Sequence, residues 1–273
     1  MSSRVRRLVA MVLVAAVVAG ASTALAQRRR GGFGMPMRMA SDHSFDGSFI
    51  FCRVVFSQNP DGDGNGWFVD YPRADANLST RLSELTKTRI SRDTSGEPNY
   101  VLVRLTDDAL FQCPFIMMTE PGGAYFRPEE AARLRQYLLK GGFLWADDFW
   151  GSYAWDVWVR EFSKVLPPTE YPIADIPLSH PIFRSQFEVK KFPQIPSIGV
   201  WRSGTTSERG ADSAEPHLRG VADTHGRLMA IMTHNTDFGD AFEEEATDPR
   251  YFYTFSVDGY AFGINVLLYS MTH

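Results

Sequence analysis

Apolar residues run almost unbroken from Phe49 to Phe56, with Arg53 the one charged interruption. A short run of this kind predicts a strand buried on both faces. Tyr100–Leu105, Cys113–Thr119 and Gly142–Asp147 repeat the pattern and predict three further strands. Between the last two the period changes. Ala131, Leu134, Tyr137 and Leu138 recur at helical spacing behind Arg127-Pro128-Glu129-Glu130, and Lys140-Gly141-Gly142 follows them. Proline in the first turn, acid at the positive end of the helix dipole and glycine beyond the last turn bound a helix. Strand, helix and strand in that order predict a βαβ unit with a parallel pair.

A helix opening near Asn77 is predicted from Leu78, Leu82 and Leu85, and another over Ser152–Leu166, closed by Pro167-Pro168. Residues 167–217 are rich in Pro, Ser and Gly without a long period and read as an irregular insertion. Leu218–Asp223 and Arg227–Thr233 read as strands joined at Thr224-His225-Gly226, and Gly259–Met271 as a closing helix. The fold class this implies is α/β: an open, mostly parallel sheet with helices on both faces.

The N-terminus follows other rules. Arg4, Arg6 and Arg7 precede the apolar run Leu8–Ala19, and Ala24-Leu25-Ala26 offers a cleavage site before Gln27. The run is too short to cross about 30 Å of hydrocarbon, so residues 1–26 read as a Sec-type signal peptide leaving no stable transmembrane anchor. The expected location is periplasmic or secreted. Residues 27–44 read as a flexible, basic Gly/Met-rich leader, and 45–273 as one domain. Cleavage removes three Arg and no acid, leaving 25 basic against 32 acidic residues, a net charge of −7. Such a chain repels phosphate backbones, which excludes nucleic acid as partner. Cys52 and Cys113 stand in apolar strand-like runs, and the expectation is two buried free thiols rather than a bridge.

Several segments together resemble one bacterial family. Phe115–Thr119 through Gly141–Asp148, His180-Pro181-Ile182-Phe183, Asn235–Phe242 and Gly263-Ile264-Asn265-Val266 are similar to domain of unknown function 4159. The resemblance implies an exported domain with a flavodoxin-like sheet, akin to class I glutamine amidotransferases. It implies no activity. The nucleophilic Cys or Ser of a Gly-x-Cys-x-Gly or Gly-x-Ser-x-Gly elbow is missing; Asp147-Asp148 stands at the comparable position, and Cys113 lies at the wrong end of its strand. Glutaminase and serine hydrolase chemistry are disfavoured.

In an open parallel sheet, ligands bind beyond the carboxyl ends of the strands. Reading those ends gives Asp147, Asp148 and His234, with His180, as candidate catalytic residues. Glu120, Asn235, Asp237, Asp240 and Trp150 are candidate binding residues. Oxygen ligands of this kind suit a hard divalent cation, though no residue set fixes a metal. Neighbouring strand residues point to opposite faces, so Asp148, beside the turn at Gly151, is expected to reach the edge. There it would raise the pKa of His234. Asp61–Gly66 resembles the opening of a calcium loop, but its twelfth position is Pro72, and a glycine turn is expected instead. The function expected is a binding or scaffolding module of the cell envelope, with an envelope protein or glycan as partner. The alternative is a hydrolase, metal-assisted and glycan-directed, using the strand-end Asp and His groups.

Overall fold

The structure is a computed structural model and describes residues 37–273; the segment expected to be a signal peptide and most of the expected leader lie outside them. Seven strands form one sheet in the order β3-β1-β4-β6-β9-β8-β7. They are β1 (Phe51–Val55), β3 (Tyr100–Arg104), β4 (Ile116–Thr119), β6 (Leu144–Phe149), β7 (Ala174–Asp175), β8 (His217–Ala222) and β9 (Leu228–His234). The first five in space are mutually parallel, while β8 and β7 pair antiparallel at the far edge. Numbered by chain order, the parallel strands stand 2-1-3-4-5. That order is consistent with a flavodoxin-like fold, whose switch point lies between the first and third strands. A separate ribbon pairs β2 (Ser57–Gln58) with β5 (Ala124–Tyr125).

The helices are α1 (Arg73–Leu85), α2 (Pro128–Leu139), α3 (Gly151–Phe162), α4 (Ile198–Arg202), α5 (Phe238–Glu243), α6 (Pro249–Tyr251) and α7 (Val257–Thr272). Strand alternation sorts the core into two layers. Phe51, Met117, Trp145 and Ile231 face α1, α5 and α7. Cys52, Val54, Met118 and Ala146 face α2 and α3.

Several boundaries differ from the sequence reading. α1 begins at Arg73, a turn before the first periodic leucine, and Leu85 at its end is 46% exposed. Its first turn holds an exposed Arg73 and an Asp75 buried by its bonds to Arg53, with no large apolar side chain to give a periodic signature. β6 runs on to Phe149. The domain also starts earlier than Phe45: Arg38 and Ala40 hydrogen-bond Leu102 on the outer edge of β3. The expectation of free thiols is corrected. Cys52 on β1 and Cys113, ahead of β4, form a disulfide with Cα atoms 6.1 Å apart. They are neighbours only because β1 and β4 are adjacent, which a separation of 61 residues hides.

Candidate functional site

Among the described residues, four other than glycine have left-handed backbone: Asp70, Glu120, Asp148 and Asn235. L-residues rarely adopt this conformation, and such residues cluster where a fold holds a particular side-chain direction. Here all four lie beyond the carboxyl edge of the sheet. Glu120 follows β4 and opens the turn Pro121–Gly123. Asp148 is the odd residue where the β6–β9 register shifts, between Asp147 and Phe149. The bulge sends Asp148 into the space above the edge, while Asp147 keeps its strand direction. Asn235 follows β9, and its side chain accepts the Gly151 N–H and donates to the Glu215 carbonyl, fixing the start of α3.

Asp70 arrives differently. Arg53, fully buried on β1, donates to the carbonyls of Trp67 and Val69 and to Thr119 Oγ1, and its fork holds Asp75 of α1. The loop that delivers Asp70 is therefore tied to the floor of the sheet. Its glycine-rich start lies across Pro121–Gly123, as Asn59 N–H donates to the Gly123 carbonyl and Asp63 N–H to that of Gly122. The amides of Asn65 and Gly66 donate to the Glu120 carboxylate. The segment is a glycine turn packed on a neighbouring turn, and Asp63 pairs with Arg209.

Together these elements enclose a cavity of about 280 Å³ lined by Asp63, Asp70, Glu120, Asp148, Glu208, Asp237 and Asp240, with Trp150 and Arg209. Among the described residues, seven carboxylates thus face one guanidinium, already engaged by Asp63. Burial is the main force on the protonation of Asp70, Glu120, Asp148, Asp237 and Asp240. It holds Asp70, Asp148 and Asp237 well above the usual carboxylate range, reinforced by the neighbouring carboxylates. Glu120 and Asp240 are pushed up to about 7, also chiefly by burial.

A family model described as "Domain of unknown function (DUF4159)" matches residues 51–271, spanning every strand and the whole cavity lining. The chain belongs to the DUF4159 family. No curated protein matches it. In this DUF4159 domain the bulge near the end of β6, two residues ahead of the Trp150 cap of α3, carries an acid, Asp148, and neither Cys nor Ser stands there.

The DUF4159 site gathers Asp148, Glu120, Asp237, Asp240 and Trp150, whose Nε1–H donates to Asp148. Three of the candidates for catalysis stand elsewhere. Asp147 turns toward α5, accepting Thr233 Oγ1–H and the backbone N–H groups of Phe238 and Gly239. His180 caps a short 3-10 turn through Ile182 N–H and rests near Tyr269, away from the cavity. His234 is packed against Phe149, Trp155 and His217.

Its expected coupling to Asp148 is corrected. The His234 Nε2–H donates to the Gly151 carbonyl, and Nδ1 accepts from Arg219, so the neutral ring is satisfied. Burial pushes its pKa down to about 4, and Arg219 and His217 add to the shift. The unfolded imidazole titrates near 6.5. Above that pH both states are neutral and the ring's contribution to stability is complete. It is lost as pH falls from 6.5 toward 4, where only the unfolded state binds the proton. His234→Gln, which keeps a donor for Gly151, should flatten this decline. Urea unfolding at pH 7 and pH 4.5 checks it; equal slopes in both proteins would refute the assignment.

Asp70, Glu208 and Arg209 escaped the sequence pattern because they sit in segments of no period, and Asp63 was read there only as part of a glycine turn. One signal was available: Arg53 inside an apolar strand requires a buried partner and anchored neighbours.

Proposed function

We propose that this protein is a binding domain of the cell envelope that takes a positively charged ligand into the acidic cavity at the carboxyl edge of its sheet. The observation that carries the reading is the convergence of seven carboxylates on one opening, with a single guanidinium among them. Uncompensated buried charge is costly, so the arrangement suits a partner that brings positive charge. The Arg-rich N-terminus and the Cys52–Cys113 bridge support export to an oxidising compartment. The acidic balance of the chain argues against nucleic acid.

A second reading, a hydrolase, draws support from Glu120 and Asp240. Carboxyls held near 7 can give and take protons at neutral pH.

The test is a melting-temperature screen in EDTA at low salt, using spermidine, glucosamine, a lysine-rich peptide and neutral oligosaccharides. Basic compounds should stabilise the wild-type chain and do so less for Glu208→Gln, while neutral sugars should not. If no basic compound binds, the reading fails. Steady turnover of chromogenic esters or glycosides that Glu120→Gln abolishes would put the hydrolase in its place.

A further inference from the structure

We propose that Asp70, Asp148 and Asp237 form a binding site for a hard divalent cation, with Asp240 beside it. The inference deepens the reading of the cavity as a site for positive charge. One carboxylate oxygen from each of the three lies within 4.8 Å of the others. A cation with oxygen ligands at about 2.3–2.6 Å spans roughly 5 Å between opposite ligands, so a single ion can touch all three. Asp70 also belongs to a second such group, with Asp240 and Glu243. It is the residue common to both.

A second observation is independent of that clustering. Asp70 is 7% exposed, and its Oδ2 is buried without a hydrogen-bond partner. Leaving a charged acceptor unpaired in the interior costs more than a neutral one. Among the described residues no basic side chain is placed to satisfy it. Arg53 spends its donors on Asp75, Thr119 and two carbonyls, and Arg209 reaches Asp63. Asp148 and Asp237 each commit one oxygen to a protein donor, Trp150 Nε1–H and Asp240 N–H, which fixes their orientation.

The backbone makes room for the crowding. A Cβ at Gly239 would overlap the Asp70 carboxylate and approach Asp237 Oδ1 to 3.2 Å. Glycine at that position lets two carboxylates share the space. Among the cavity's lining residues there is no His or Cys. An all-oxygen donor set selects Ca²⁺, Mg²⁺ or Mn²⁺ over softer ions such as Zn²⁺.

Calorimetric titration of the EDTA-stripped, dialysed chain with CaCl₂, MgCl₂ and MnCl₂, each alone, tests the site. At least one salt should bind saturably at one site per chain. Asp70→Asn and Asp148→Asn should each weaken that binding by roughly tenfold or more, while Glu188→Gln, on the exposed surface, should leave it unchanged. Both Asn variants are chosen to fold: Asn tolerates left-handed backbone, and at position 148 it still accepts from Trp150. In EDTA they should melt no lower than wild type, since each puts a neutral amide where burial and the neighbouring carboxylates already disfavour the charged form. The proposal is overturned if none of the three salts binds, or if binding survives both substitutions. Binding of organic cations in EDTA is a separate readout, so loss of the metal site would leave the broader reading standing.

Discussion

Replacing Arg53 by Met should lower the free energy of unfolding by about 3–5 kcal/mol, the range for breaking a buried ion pair from one side. Arg53 and Asp75 are both fully buried, and burial is the largest influence on each. The guanidinium meets Asp75 through Nε and Nη2 and donates Nη1–H to Trp67, Val69 and Thr119. Methionine fills much of the volume but leaves a charged carboxylate and two carbonyls with no donor. The double variant Arg53→Met, Asp75→Leu should recover a large part of the loss, because the desolvated charge goes with its partner. Urea denaturation of the two variants separates these outcomes. A single variant costing less than about 1 kcal/mol would show that the pair is not essential to stability. The double variant should still bind cations poorly, since the loop that presents Asp70 loses its anchors.

Loss of the Cys52–Cys113 bridge should be of similar size. It closes a loop of 61 residues, and the loop-entropy model gives about 4 kcal/mol for that length. Cys113→Ala, or reduction of the wild-type chain, should therefore lower the urea midpoint markedly, with the two effects overlapping rather than adding. If reductant shifts the wild-type midpoint no more than it shifts the Cys113→Ala midpoint, the bridge contributes nothing. Neither treatment should affect cation binding, as the bridge ties β1 to the approach of β4 at the end of the sheet opposite the cavity.

The elements legible in the sequence are those whose apolar period matches their burial. The β4–α2–β6 unit was readable because proline, paired acids and glycines punctuate it, and the two faces of α2 differ. The five parallel strands were readable as apolar runs, since a doubly covered sheet buries both faces of each strand. Helix α5 left no such trace. Its six residues begin at a cap made by Asp237 and are held by Asp147, a contact 91 residues distant along the chain. The site was half legible for the same reason. Glu120, Asp148, Asp237 and Asp240 follow strands and were found there. Asp70 depends on Arg53, Thr119 and the path of a glycine turn, none of which has a period. His234 misled because strand alternation gives a side chain's face but not its neighbours. Those neighbours turned out to be aromatic rings and Arg219 rather than acids.

The contact of Arg38 and Ala40 with Leu102 bears on how the chain behaves in a crowd. β3 is the outermost parallel strand, and Val101, Leu102 and Val103 along it are apolar. An uncovered edge of that composition is a template for pairing with another chain. The opposite edge is guarded by brevity, because β7 has two residues, both exposed. The β3 edge has no such protection of its own and relies on the residues that precede the domain as its sequence pattern defines it. A chain trimmed to begin at Phe45 would keep its core, its bridge and its cavity. It would also carry an open β3 edge, and with it a route to self-association and aggregation.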